Sequence, residues 1–263
     1  MKRSVAAAYS TEPDHDGLPR TIAESIYHRI RQDILWMRLA PGSPLRSDQL
    51  RARYDVGISP LREALTRLVS ERLVTSVGQR GFRVAPLTAY DVEDTMMTRI
   101  VIEREALAQS IENGNIAWET ALVAAFHGLS RNPIPKEPGM ATEIWARRHR
   151  QFHMALLSGC GSRWQLELAG LLFDQAERHR MLRSNFGPQQ KLKRDTVREH
   201  RRIFDAALSR DVEGAVRALE KHYKTTGKQV VAVLSRVPRL VPKRARLAPR
   251  LTVRYPQITN FGK

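Results

Sequence analysis

The chain has 263 residues, enough for two domains with separate cores, and its 44 Lys and Arg against 27 Asp and Glu leave a formal charge of +17 that attracts polyanions, nucleic acid first among them. A single cysteine, Cys160, excludes an internal disulfide framework, fits a reducing, cytoplasmic compartment and reads as a small buried residue. No apolar run approaches the roughly eighteen residues of a membrane span, so a transmembrane helix is excluded.

Residues 1–17 hold Lys2 and Arg3 but no apolar stretch suited to a signal peptide, and read as a disordered leader. From Thr21, the residues Ile22, Ile26, Ile30 and Ile34 form one stripe of a helix running to about Met37, which Ala40, Pro41 and Gly42 end. A short second helix is predicted from Ser47 to about Tyr54 with Leu50 inward, followed by a turn at Asp55, Val56 and Gly57. Ser59 as N-cap and Pro60 as first helical residue open a third helix, which buries Leu61, Ala64, Leu65 and Leu68 and ends near Arg72. The segments 73–77 and 82–85, rich in Val and Thr and separated by Gly78, Gln79, Arg80 and Gly81, predict a two-stranded wing. Residues 18–87 thus have the layout of a winged helix-turn-helix DNA-binding domain.

After Pro86 only long amphipathic helices are predicted, near 89–112, 116–130, 141–158, 162–184, 188–209 and 211–234, so residues 88–235 form an all-helical bundle. The fold class is mainly α, a winged helix-turn-helix ahead of a helical bundle. Residues 236–263 carry eight basic residues, no acidic one and four prolines, and read as a solvated tail or as a polycationic arm that strengthens DNA binding without reading sequence.

A helix in the major groove needs long cationic or hydrogen-bonding side chains on its outer face. Arg62, Thr66 and Arg67 lie opposite the apolar stripe of the third helix, Ser59 stands at its exposed end, and Arg46 is a further candidate for DNA contact. One such helix covers only a few base pairs, so a homodimer reading an inverted-repeat operator is expected.

Four of the eight histidines form a pattern. His149 and His153 are one helical turn apart on one face, a chelating spacing. His200 and His222 flank the turn at Arg210 and Asp211 at nearly equal distances, so an antiparallel hairpin brings them to one height. Four imidazoles aimed at one point suit a divalent borderline metal such as Zn or Ni. His15, His28, His127 and His179 fit no such pattern and read as surface or satisfied core.

The stretch from Ala40-Pro41-Gly42 through Leu45, Leu50, Val56 and Ser59-Pro60-Leu61-Arg62-Glu63-Ala64-Leu65 to Arg80-Gly81 resembles the GntR family of regulators, across the whole first domain. The resemblance implies that Arg62 contacts the operator and that Arg80 and Gly81 form the wing tip. Gly57 and Ile58 depart from the Ser and Arg more often found there, which removes one polar contact. Behind such a head the helical bundle resembles the FCD effector domain of the FadR subfamily in its six-helix version. Metal-binding members show an Asp, then a Phe-His pair, then a His on each of the last two helices. Phe152-His153, Glu199-His200 and His222 match that frame, while His149 stands where Asp is typical, leaving a four-His site or a metal-free pocket open. By the same resemblance the effector is a small organic acid held with the help of pocket cations. Arg99, one turn before Glu103, pairs either with it or with an effector carboxylate; Arg178 is a second candidate. Trp145 and Trp164 read as packing or cavity-lining residues.

An enzymatic reading lacks its parts. Arg150 follows His149 where a zinc hydrolase helix places its Glu base, and no nucleotide loop or nucleophile motif appears. A sequence-indifferent DNA-packaging protein fits the basic tail but gives no use to a polar pocket within a bundle.

Overall fold

A computed structural model of the chain describes residues 21–78, 81–132, 140–186 and 194–236. The leader, Arg80 of the wing tip and the tail beyond Arg236 lie outside the described residues.

The head begins with α1 (Ile22–Leu35), whose N-cap Thr21 accepts a hydrogen bond from the Glu24 amide at 3.1 Å. Ile26, Ile30 and Ile34 are buried as the four-residue spacing requires, but Ile22, in the first turn, lies beyond the core and is 68% exposed. The strand β1 (Pro44–Leu45) leads into α2 (Ser47–Tyr54), which ends at Asp55 in the left-handed conformation, φ 51°. Helix α3 (Ile58–Ser70) starts earlier than expected, with Gly57 as its N-cap and no side-chain cap bond, so Ser59 sits inside the first turn instead of capping it. Its Leu61, Leu65 and Leu68 are fully buried against α1, each stabilising the head by roughly 1.5–3 kcal/mol.

The wing is three-stranded, in the order β1, β3, β2. β2 (Val74–Ser76) and β3 (Phe82–Val84) pair antiparallel as expected, and β1 adds to the other edge with Pro44 opposite Arg83 and Leu45 opposite Phe82. Two residues, one of them proline, carry no strand signal, but Pro44 needs no amide donor at an edge. Gly81, at φ 84°, takes a left-handed turn conformation that a side chain would strain.

The bundle comprises α4 (Ala89–Asn113), α5 (Ile116–Ser130), α6 (Met140–Leu157), α7 (Arg163–Phe186), α8 (Thr196–Leu208) and α9 (Val212–Leu234). Thr88 and Asp91 form a reciprocal capping box at α4, and Asn115, Asp195 and Asp211 cap α5, α8 and α9. Asp195 caps α8 at its start, while the expected start at residue 188 lies outside the described residues. α4 packs along α9 and α7, and α8 along α9, around a core that includes Leu107, Phe126, Phe152, Phe204 and the free, buried Cys160. Trp145 is part of that core, whereas Trp164 is 75% exposed and packs on nothing in the bundle interior.

The head is held to the bundle mostly by polar contacts. Arg31 pairs with Asp174, Arg38 with Glu143, and Gln175 Nε2 donates to the Glu71 carbonyl at 2.9 Å. An apolar seam under the linker, formed by Leu87, Val92, Leu182, Val230, Val233 and Leu234, completes the junction.

Candidate functional site

His149 and His153 of α6, His200 of α8 and His222 of α9 are all buried, and one ring nitrogen from each lies within 4.8 Å of the others. The hydrogen bonds behind the rings fix which nitrogens face inward. The Tyr223 hydroxyl gives its only proton to Glu103 Oε2 at 2.5 Å, so at 3.1 Å from His153 Nδ1 it accepts a proton from that nitrogen and leaves the His153 Nε2 lone pair bare. Glu199 Oε2, a proton acceptor, lies 2.8 Å from His222 Nδ1, closer than the Arg194 Nη2 donor at 3.2 Å, so the Nδ1 proton goes to Glu199 and the Nε2 lone pair is left for the cluster. His153 Nε2 meets His149 Nε2 at 3.1 Å, and His200 Nε2 has no partner among the described residues.

Burial depresses all four histidines, His149 to about 4 and His153 and His200 well below the usual value, the latter two reinforced by neighbouring imidazoles. His222 is also lowered by burial, against the pull of Glu199. Neutral imidazoles with converging lone pairs are the form that binds metal, and a carboxylate or hydroxyl behind the ring is the usual means of orienting such ligands. The residues present therefore fit a divalent cation, with His149, His153, His200 and His222 as its holders. An orphaned buried Nε2 on His200 is the observation that carries this fit.

Beside the cluster lies a small cavity, partly open to solvent. Its walls are Trp145, Phe173 and Ala176, and three arginines enter it: Arg99, Arg180 and Arg194. Each is already paired. Arg99 Nε donates to Glu103 at 2.6 Å and its Nη2 to the Tyr223 hydroxyl at 2.8 Å. Arg180 Nε donates to Glu177 at 2.9 Å, and Arg194 Nε to Glu199 at 2.8 Å. Burial alone would raise the Glu177 carboxyl, but the Arg180 guanidinium holds it at about 2. The Arg180 guanidinium also lies 4.3 Å over the Trp145 ring, which stacks on His149 at 4.6 Å.

Arg99 therefore has its partner in Glu103 and still lines the cavity. Arg178 does not: it is 1% exposed, points to the linker and donates to the Ala85 carbonyl. Of the two arginines in Glu177-Arg178-His179-Arg180, it is Arg180 that lines the cavity. A helix turns about 100° per residue, so the residues in phase with Phe173 and Ala176 are Glu177 and Arg180. His179 is buried with an unpartnered Nδ1 and is neither surface nor satisfied core; burial lowers it to about 3. Sequence reading also missed Tyr223, adjacent in sequence to His222, and Arg194, which lies just before the cap of α8, and it named Glu199 without foreseeing its bond to His222.

On the head, Arg46, Ser59, Arg62, Thr66 and Arg67 are exposed. Two of them are engaged: the Thr66 hydroxyl donates to the Arg62 carbonyl at 2.8 Å, and the Arg67 guanidinium lies 3.9 Å over the Tyr27 ring. The Arg62 side chain is exposed on α3 and has no partner among the described residues, and Gly81 is exposed at the wing tip.

Residues 22–84 match the bacterial regulatory proteins of the gntR family, and residues 94–225 match the FCD domain. The chain is 37% identical over 209 residues to an HTH-type transcriptional regulator, BphR, of Paraburkholderia xenovorans, covering 79% of this chain and 84% of that one. It is 34% identical over 201 residues to the HTH-type transcriptional repressor GlaR of Escherichia coli, covering 76% and 91%. Among solved structures, a GntR regulator from Rhodococcus shares the fold with a TM-score of 0.63 at 20% identity, over 80% of this chain and 97% of that one.

Proposed function

Because the chain belongs to the GntR family of DNA-binding transcription regulators and carries an FCD domain behind its head, we propose that it represses its target by holding an inverted-repeat operator as a homodimer and answers to a small organic acid bound in the bundle. The observation that carries the effector half is the convergence of four buried, neutral imidazoles on a cavity whose arginines are each matched by a carboxylate. Such a cavity is close to neutral by itself. His149, His153, His200 and His222 would hold a divalent metal, Zn or Ni, which would supply the positive charge that attracts an anion. Arg99, Arg180 and Arg194 then orient the rest of it. A repressor role is supported by the name of the GlaR relative.

The test is a thermal screen of zinc-loaded protein against mono- and dicarboxylates, followed by operator titration with each acid that binds. A bound acid raises the melting temperature by mass action and changes operator affinity. Acids that stabilise the protein yet leave operator affinity untouched contradict the proposal.

Arg62→Ala is expected to weaken specific operator binding by roughly 1–3 kcal/mol, the worth of a bidentate base contact, with little effect on random DNA. Unchanged operator affinity in a gel-shift titration rules out α3 as the reading helix. Sedimentation is expected to give twice the chain mass. Trp164 and Leu168, exposed one turn apart on α7, offer a second copy an apolar face to cover. A monomer protecting a single half-site contradicts the assembly.

A further inference from the structure

Helix α7 carries two adjoining stripes of side chains. Phe173, Ala176, Glu177 and Arg180, spaced by three and four, line the cavity. Asp174, Gln175, Arg178 and Leu182 form the next stripe, and each reaches the head or its linker. Asp174 pairs with Arg31 of α1, Gln175 donates to the Glu71 carbonyl, Arg178 donates to the Ala85 carbonyl, and Leu182 packs in the seam with Leu87. Glu71 in turn accepts from Arg31 Nε at 3.0 Å and from the Tyr27 hydroxyl, so these contacts meet where α1 and the end of α3 come together.

Two groups on this helix path are left short of partners. Arg178 is fully buried, has no carboxylate within ion-pair distance among the described residues, and its Nε is unpartnered. His149 Nδ1 is likewise buried and unpartnered; Glu177 Oε2 stands 3.8 Å away, beyond hydrogen-bond reach, and is held by Arg180. With His153 Nε2 a bare lone pair, the 3.1 Å contact between the two Nε2 atoms requires the proton of His149 to sit on its own Nε2. When an occupant of the cluster takes that nitrogen, the proton must move to Nδ1, and Glu177 is the nearest acceptor.

We propose that α7 transmits occupancy of the histidine cluster to the DNA-binding head, with Glu177 as the sensing end and Arg178 as the grip on the linker. Closing the 3.8 Å gap to a hydrogen bond of about 2.9 Å draws Glu177 toward α6 and shifts α7 beneath it. Arg178, held by a single carbonyl and helped by Asp91 only from beyond ion-pair distance, is the contact most easily rearranged by that shift. Its movement changes how firmly Ala85 and the seam under Leu87 fix the head. This inference rests on the reading that the cluster binds a divalent cation.

The test compares full-length protein treated with EDTA and loaded with zinc. Zinc affinity is read by competition with a chelator dye, and head attachment by hydrogen exchange across residues 71–88, where the Ala85 amide donates to the Leu73 carbonyl at 2.9 Å. In wild type, zinc is expected to change exchange in this segment by at least about fivefold, the lower end of ordinary coupling between sites. Arg178→Met is expected to bind zinc within twofold of wild type, roughly unchanged, and to lose most of that response, while Arg178→Lys, which keeps a donor for Ala85, restores part of it. If Arg178→Met does not fold, Gln175→Ala, outside the cavity, is expected to reduce the response. A zinc-bound wild type with no change at 71–88, or a folded Arg178→Met that responds in full, overturns the proposal. A wild type that takes up no zinc is recognised by the chelator titration alone and overturns the metal reading, and this inference with it.

Discussion

The double substitution His153→Ala and His200→Ala is expected to strip the bundle of divalent metal and to abolish the dependence of operator affinity on any carboxylate, while the head still binds DNA. His153 is the centre of the cluster: its Nε2 faces His149, and its ring lies 5.3 Å from that of His200 and 5.5 Å from that of His222. Removing it and His200 leaves one imidazole on α6 and one on α9, too few to hold the ion. The head is untouched because its core of Ile30, Leu61, Leu65 and Leu68 shares no residue with the cluster. Metal analysis after dialysis reads the first effect and a gel-shift titration the second. A double variant that retains one metal per chain refutes this ligand set, and one that loses operator binding altogether shows that the bundle substitutions damage the head.

Metal-free protein is expected to lose stability steeply as the pH falls from 7 to 5. In the fold His149 stands at about 4 and His179 at about 3, with His153, His200 and His222 also lowered, all by burial first. Between the ordinary histidine value of 6.5 and those depressed values the unfolded chain takes up protons that the native chain refuses. Stability therefore falls as pH drops through 6.5 and levels off only below the folded values, by up to roughly 1.4 kcal/mol per pH unit for each histidine. The carboxylates beside the cluster act in another window. Glu177 and Glu199, both held at about 2 by their arginines against the effect of burial, contribute stability above 4.5 that is lost progressively as pH falls from 4.5 toward 2. Urea denaturation in EDTA at pH 7 and pH 5 is expected to differ by at least about 3 kcal/mol, and saturating zinc to reduce the difference by binding only the native state. Equal stability at the two pH values contradicts the picture of neutral, buried imidazoles.

Much of the fold was legible because its signals are local. The four-residue repeat of isoleucines, the turn glycines and the capping residues each act within a few positions, and the helices follow them. What failed depended on distant partners or on phase. Strand β1 exists only because β3 offers an edge, and Pro44-Leu45 says nothing of that by itself. Ser59 and Pro60 look like a cap and a first residue, yet the extended backbone at Gly57 begins α3 two residues sooner. The histidine cluster was readable because a one-turn spacing and a hairpin both convert sequence distance directly into height. Arg178 was misplaced because three arginine and glutamate neighbours within one turn point in different directions, and only the phase set by Phe173 and Ala176 separates Arg180 from it. The groups behind the imidazoles, Tyr223, Glu103 and Glu177, come from three helices and carry no joint signature in sequence.

Whether four imidazoles of this bundle hold a divalent cation is read by X-ray absorption at the zinc edge of the loaded, dialysed protein. Nitrogen neighbours at about 2.0–2.1 Å are expected, with the outer-shell scattering of at least three imidazole rings. A shell of oxygen or sulfur alone, or zinc that washes out on dialysis, would contradict a four-imidazole site.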